Sequence, residues 1–284
     1  MSTGTALTLA YSPCPNDTYI FAAWTRGMLP DAEPVAVVLD DVEALNEAAR
    51  GARFALTKVS YGAIPFLLRD YRILRAGGAL GRGCGPLVVA KARPGGSVPA
   101  LEDFDAHTRI AIPGTMTTAY LLLRLALRAP IEIVPMRFDR IARAVASGEV
   151  EAGLIIHESR FTYRDSGLTA VVDLGEWWER ETGRPIPLGA ILARRDVATE
   201  AAQRIDATIR ASLAYARAND ARVAPYVREH AFEMNEDVMR AHIALYVNDY
   251  SIDLGDEGIA AIDNLFKLAA AAGLIPAGTA AEFV

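Results

Sequence analysis

Short apolar runs alternating with segments of helical period occur twice along this chain, before and after one Pro- and Gly-rich stretch, and that doubling limits the fold more than any other feature. In the first half, Leu7 to Ala10 reads as a strand that ends in Ser12-Pro13-Cys14-Pro15-Asn16-Asp17, and Thr18 to Arg26 as a helix with Ile20, Phe21 and Trp24 at helical spacing. Pro34 to Asp40 reads as a second strand, Val42 to Arg50 as a short helix ending at Gly51, and Phe54 to Val59 as a third strand. Tyr61 to Leu68 reads as helix, with Arg72 to Leu74 and Pro86 to Ala90 as further strands. Arg93-Pro94-Gly95-Gly96-Ser97-Val98-Pro99 has linker composition, and beyond it the pattern restarts. Strands at Arg109 to Ile112, Glu132 to Val134 and Gly153 to Ile156 alternate with helices at Ala119 to Leu127 and Arg140 to Ala146. Such alternation predicts mostly parallel sheets covered by helices.

The remainder is an extended run, Pro185 to Ala193, followed only by helices: Glu200 to Arg217, Val223 to Ala231, Asp237 to Val247 and Gly258 to Ala272. These helices either form a third domain or pack back on the first sheet. The extended run favours the return, because it gives the chain a strand to travel along. The expected organisation is α/β with two lobes, residues 1–92 plus 194–284 and residues 93–193, and a ligand cleft where the strand ends meet.

Composition narrows the chemistry. The 284 residues are 52% hydrophobic and 23% charged, far from the disordered corner. With 29 basic against 35 acidic residues and no run of five like charges, the surface offers no field for nucleic acid. The first basic residue is Arg26 and no apolar stretch reaches the ~20 residues of a membrane span, so a cytoplasmic protein is expected. Two cysteines, Cys14 and Cys84, make no disulfide framework. Four scattered histidines, no Walker loop, no dinucleotide fingerprint and no serine-hydrolase elbow leave neither a metal nor a cofactor expected, and a small molecule as the partner.

Four places could carry chemistry. Asn16, Asp17 and Thr18 follow the first strand, where they can cap a helix and offer polar groups to the cleft; an ordinary capping turn has the same pattern. Lys58, in Thr57-Lys58-Val59-Ser60, ends the third strand and is one of only three lysines among the 29 basic residues; a lysine snorkelling at a strand end reads alike. Pro113-Gly114-Thr115-Met116-Thr117-Thr118-Ala119 leads a strand into a helix, so free N–H groups and the hydroxyls of Thr115, Thr117 and Thr118 form an anion site, or simply a cap. His157 follows the strand Gly153 to Ile156 and can take a proton near neutral pH, although a lone histidine is more often structural. His107, His230 and His242 read as structural.

Five blocks, in order, resemble the 1,4-dihydroxy-6-naphthoate synthases, lyases of the futalosine route to menaquinone: Ser12 to Thr18, Thr57 to Gly62, Gly81-Arg82-Gly83-Cys84-Gly85-Pro86, Thr117-Thr118-Ala119, and His157-Glu158-Ser159-Arg160-Phe161. The resemblance implies a two-lobe fold like that of type II periplasmic binding proteins, with the substrate held in a central cleft; the helical C-terminus, expected on lobe 1 from the extended return run, adds only general agreement. It implies substrate contacts from Lys58, Val59, Ser60, Thr118 and Ala119, and His157 as proton acceptor; Asn16 and Asp17 are expected beside them from their place after the first strand. The implied reaction converts cyclic dehypoxanthinylfutalosine to 1,4-dihydroxy-6-naphthoate and a sugar fragment, driven by aromatisation, without metal or redox cofactor. Competing readings are a solute-binding protein without catalysis, the related chorismate dehydratases, which are not expected to carry the His-Glu-Ser block, and the effector-sensing half of a regulator, for which no helix-turn-helix precedes Leu7.

Overall fold

The computed structural model describes residues 7–284 apart from 94, 128, 233 and 234. Residues 1–6 of the expected first lobe, and Pro94 of the expected linker, lie outside the described residues. Two mixed sheets are built on the same plan. The first unit runs β1 (Leu7–Tyr11), α1 (Pro15–Thr25), β2 (Val35–Leu39), α2 (Val42–Arg50), β3 (Leu56–Ser60), then β4 (Tyr71–Ile73) and β5 (Ala79–Gly81). The second runs β6 (Leu87–Lys91), β7 (Arg109–Ile112), α3 (Thr118–Ala126), β8 (Glu132–Pro135), α4 (Phe138–Ser147), β9 (Ala152–Ile155), α5 (Ser159–Thr162), β10 (Leu168–Asp173) and α6 (Leu174–Thr182). The chain returns through β11 (Ile186–Arg194) to α7 (Thr199–Ala218), α8 (Asp220–His230), α9 (Glu236–Tyr246), α10 (Asp249–Ile252) and α11 (Gly255–Ala271).

In each unit the first strand sits between the second and third, parallel to both. β1 pairs β2 from Leu7↔Val35 and β3 at Leu9↔Leu56, while β7 pairs β8 from Arg109↔Glu132 and β9 at Ile110↔Ala152. The sheets are not mostly parallel, as the alternation predicted, because each borrows an antiparallel strand from the stretch that crosses between them. β6 lies against β9 and β10, and β11 lies against β3, β4 and β5.

That exchange moves the crossings. β6 falls inside the range expected for the first lobe but belongs to the second sheet, and β11, expected mostly in the second lobe, belongs to the first. The chain therefore changes sheets between Gly81 and Leu87 and between Asp173 and Ile186, not at 93 and 193. The segment between Lys91 and Arg109 joins two strands of one sheet, and Pro- and Gly-rich composition marks such a connection as readily as a domain boundary. Arg160 ties the first crossing down, donating to the Gly85 and Gly83 carbonyls at 2.6 and 3.0 Å while pairing with Asp173 at 2.6 Å.

The C-terminal helices pack on lobe 1. α7, α8 and α9 cover α1 and bury Ile20, Phe21 and Trp24 with Ile209, Leu213 and Val227. α11 lies on β11 and reaches α3, so that Phe266 and Leu265 join Tyr61, Leu122 and Trp178 in an apolar core continuous across both lobes. Tyr61 to Leu68 is not a full helix; only Ile64–Phe66 forms one 3₁₀ turn. Gly62 explains the tight fit there, because a β-carbon would run into the Thr117 carbonyl of the opposite lobe.

Candidate active site

By the common plan, the loops after β1 and β7 and the ends of β3 and β9 converge on one cleft, the position where open α/β sheets hold ligands. Asn16, Asp17, Lys58, Val59, Ser60, Thr117, Thr118, Ala119 and His157 line this cavity, whereas Thr18 and Thr115 do not.

On the lobe 1 wall, Cys14 rather than Asn16, Asp17 or Thr18 is the N-cap of α1, with Pro15 in the first helical position. Asn16 and Asp17 therefore project from the first turn. The Asp17 carboxylate accepts from Asn16 Nδ2, Ser12 Oγ and Lys58 Nζ, each at 2.8 Å. Lys58 does not snorkel: it is 5% exposed and also donates to the Gly77 carbonyl at 3.0 Å. Ser60 is held by Asn46, which accepts its backbone N–H at 2.9 Å and donates to its Oγ at 3.2 Å.

On the opposite wall the threonine hydroxyls are not the anion site that the pattern suggested. Thr115 is exposed, and Thr117 Oγ1 is spent as the N-cap, accepting from Tyr120 N at 3.2 Å and donating to the Gly114 carbonyl. Thr118 Oγ1 fastens the lobes together, accepting from Gly62 N at 3.1 Å and donating to the Leu188 carbonyl at 2.7 Å. What Thr118 and Ala119 offer the cavity is the first-turn backbone of α3, whose N–H groups lack intrahelical partners.

His157 has φ +55°, a left-handed conformation that costs a non-glycine residue about 1–3 kcal/mol and gathers at functional sites. Its Nδ1 lies 3.4 Å from Cys14 Sγ, and its Nε2 is sealed from solvent with no hydrogen-bond partner among the described residues. Burial pushes the imidazole down to about 4, with Lys58 acting in the same direction and Asp17 opposing. The ring is therefore neutral at physiological pH. Burial and the neighbouring Glu158 charge push the Cys14 thiol well above its ordinary value, so sulfur meets the imidazole as a thiol.

A family described as menaquinone biosynthesis matches residues 7–271, and a Thermus thermophilus protein named 1,4-dihydroxy-6-naphthoate synthase is 51% identical over 271 residues, covering 95% of this chain and 96% of that one. The chain belongs to the 1,4-dihydroxy-6-naphthoate synthase family of menaquinone biosynthesis. A second member of the family, from Streptomyces coelicolor, is 46% identical over 276 residues and 95% of each chain. The family is one of lyases. Its fold here is that of the periplasmic binding proteins: the alkanesulfonate-binding protein of Xanthomonas axonopodis pv. citri superposes with a TM-score of 0.70 at 16% identity, over 97% of this chain and 96% of that one. No helix of the described residues is long and apolar enough to cross a membrane.

Several residues of the site in this synthase-family chain carried no signal in the sequence. Tyr246 lines the cavity from α9, and His242, one turn earlier, is 1% exposed and stacks against His157 with ring centroids 6.3 Å apart. Neither His242 nitrogen has a hydrogen-bond partner among the described residues, and burial holds its imidazole well below its ordinary value. His242 was expected to be structural; only the fold brings it 85 positions along the chain to the ring of His157. Asn46 and Glu43 lie in a plain amphipathic helix, where nothing but tertiary contact marks them.

Proposed function

We propose that this chain converts cyclic dehypoxanthinylfutalosine to 1,4-dihydroxy-6-naphthoate with His157 as the general base. The observation that carries the reading is His157 itself: a neutral imidazole, held in a strained backbone conformation at a strand end and lining the cavity, whose Nε2 has no hydrogen-bond partner among the described residues. The substrate carboxylate is received by the first-turn N–H groups of Thr118 and Ala119 and by Ser60 on the facing wall. Lys58 and Asp17 neutralise each other and hold the loop after β1 against β3, with Asn16 and Val59 completing the wall. Proton removal by His157 starts the collapse of the spiro-fused carbocycle, and the aromaticity gained by the naphthoate supplies the driving force as the sugar fragment leaves. Neither step asks for a metal or a redox cofactor. Two buried thiols without a disulfide agree with a cytoplasmic site of action.

The test is turnover of the spiro-fused substrate by purified protein, with the naphthoate followed by its absorbance, in the parent and in His157→Asn. The variant is expected to fold and bind product normally while losing about 10²- to 10⁴-fold in kcat. Turnover within about threefold of the parent would remove His157 as the base, and no naphthoate from the parent would remove the reaction.

A further inference from the structure

The residue that decides which way the Ser60 hydroxyl points lies outside every motif. Asn46 is fully buried on α2, and its Oδ1 accepts the Ser60 backbone N–H at 2.9 Å. Only the oxygen can accept there, so the amide's orientation is fixed. Both Nδ2 hydrogens are then committed, one to Ser60 Oγ at 3.2 Å and one to Glu43 Oε2 at 3.0 Å. The other Glu43 oxygen accepts the Met116 N–H at 3.0 Å, in the loop that opens α3 on the facing wall. Gly114 in that loop lets the carboxylate come so close, since a β-carbon there would collide with Glu43.

We propose that Asn46 is a specificity-determining positioning residue: by donating to Ser60 Oγ it takes up one lone pair of the hydroxyl and turns its proton toward the cavity, so that this wall favours a hydrogen-bond acceptor, namely a carboxylate. A serine hydroxyl has one proton and two lone pairs, and Asn46 occupies a lone pair. Ser60 Oγ donates to no protein atom among the described residues, so its proton is left for the ligand. Glu43 holds Asn46 with one oxygen and Met116 with the other, which ties this network to the facing wall of the cleft. The inference rests on the reading that the cavity binds an aromatic carboxylate.

The polarity of this network can be reversed without emptying it. Asn46→Asp combined with Glu43→Gln keeps net charge and size, keeps acceptors for the Ser60 and Met116 N–H groups, and turns the Ser60 proton inward to the new carboxylate. The double variant is expected to keep its melting temperature within a few degrees while binding 1,4-dihydroxy-6-naphthoate about 10- to 100-fold more weakly by calorimetry. KM rises and kcat stays within about threefold. Ser60→Ala alone loses affinity to a similar degree, and adding it to the double variant costs nothing further. A double variant that binds as the parent does, or losses that multiply when combined with Ser60→Ala, overturns the proposal. If the double variant does not fold, Asn46→Ala measured with and without Ser60→Ala decides the same question: coupled losses are expected, and independent ones overturn it. Failure of the parent to bind the naphthoate instead overturns the reading of the cavity and the proposal with it.

Discussion

The two βαβαβ units place the same two structural positions on the cleft and fill them in opposite ways. After β1 and at the end of β3, the first unit puts Asp17 and Lys58, whose charges are spent on each other and on Ser12, Asn16 and the Gly77 carbonyl. After β7 and β9, the second puts a helix N-terminus and a histidine whose Nε2 has no hydrogen-bond partner among the described residues. The charged pair on the first wall is closed on itself, whereas the corresponding positions on the second are left open to a ligand. A repeated scaffold thus lets rigidity and reactivity be assigned separately to residues at equivalent places.

The largest effect should come from opening the closed wall. Lys58→Met leaves the Asp17 carboxylate buried without its cation, a change that typically costs about 3–5 kcal/mol. Urea unfolding should show that loss, and adding Asp17→Asn should recover most of it, because the uncompensated charge is then gone. A single variant within about 1 kcal/mol of the parent would mean that the first wall does not depend on the pair.

The open wall should reveal itself in acid. The folded His157 has its proton affinity depressed to about 4, against about 6.5 in an unfolded chain. As pH falls through that window the unfolded state binds the proton first, so stability is full above about 6.5 and declines toward 4, by about 3 kcal/mol for this group. His242, depressed in the same direction, adds to the decline. Urea melts at pH 7.5 and 4.5 should show a difference that shrinks in His157→Asn. An unchanged difference would assign the acid sensitivity elsewhere. For catalysis the sign is the same: the base works when unprotonated, so turnover should hold from pH 8 to about 5 and fail only below.

How much of this was legible in the sequence differs between the two levels. The loops after β1 and β7 and the ends of β3 and β9 were readable, because apolar runs stopping at Ser12, Ser60, Pro113 and His157 mark strand ends and the fold sends strand ends to the cleft. The sheet exchange was not: β6 and β11 look like any other strands, and only pairing reveals which sheet each joins. Side-chain roles were legible in type but not in partner. The threonines near α3 were visible as anion-site candidates, yet whether a hydroxyl faces ligand or the Leu188 carbonyl depends on a strand 70 residues away. Asn46 was invisible, since an asparagine in an amphipathic helix gains its meaning only from the Ser60 it touches.

Thr118 tests a smaller consequence of the same contrast. Thr118→Val strips partners from the Gly62 N–H and the Leu188 carbonyl, and should cost about 1–3 kcal/mol in stability, with Thr118→Ser restoring it. Product affinity should move by less than about threefold, because the backbone N–H that receives the carboxylate remains. A large loss of affinity with unchanged stability would return the hydroxyl to the ligand.

The smallest expected effect is none at all, on removing metal. Cys14, His157 and Glu158 bring a sulfur, a nitrogen and a carboxylate oxygen within 4.8 Å of one another, the one such group among the described residues. A divalent ion held there would occupy His157, and an imidazole bound to metal through one nitrogen is a poorer base at the other. The base reading and a metal reading therefore compete for one ring. Exhaustive dialysis against a chelator should leave turnover unchanged, while added Zn²⁺, which suits sulfur and nitrogen ligands, should inhibit by capturing the cluster. Cys14→Ser should weaken that inhibition without abolishing activity, since the thiol only abuts the ring. Turnover that disappears on chelation and returns with Zn²⁺ would make the open wall a metal centre, and His157 a ligand instead of a base.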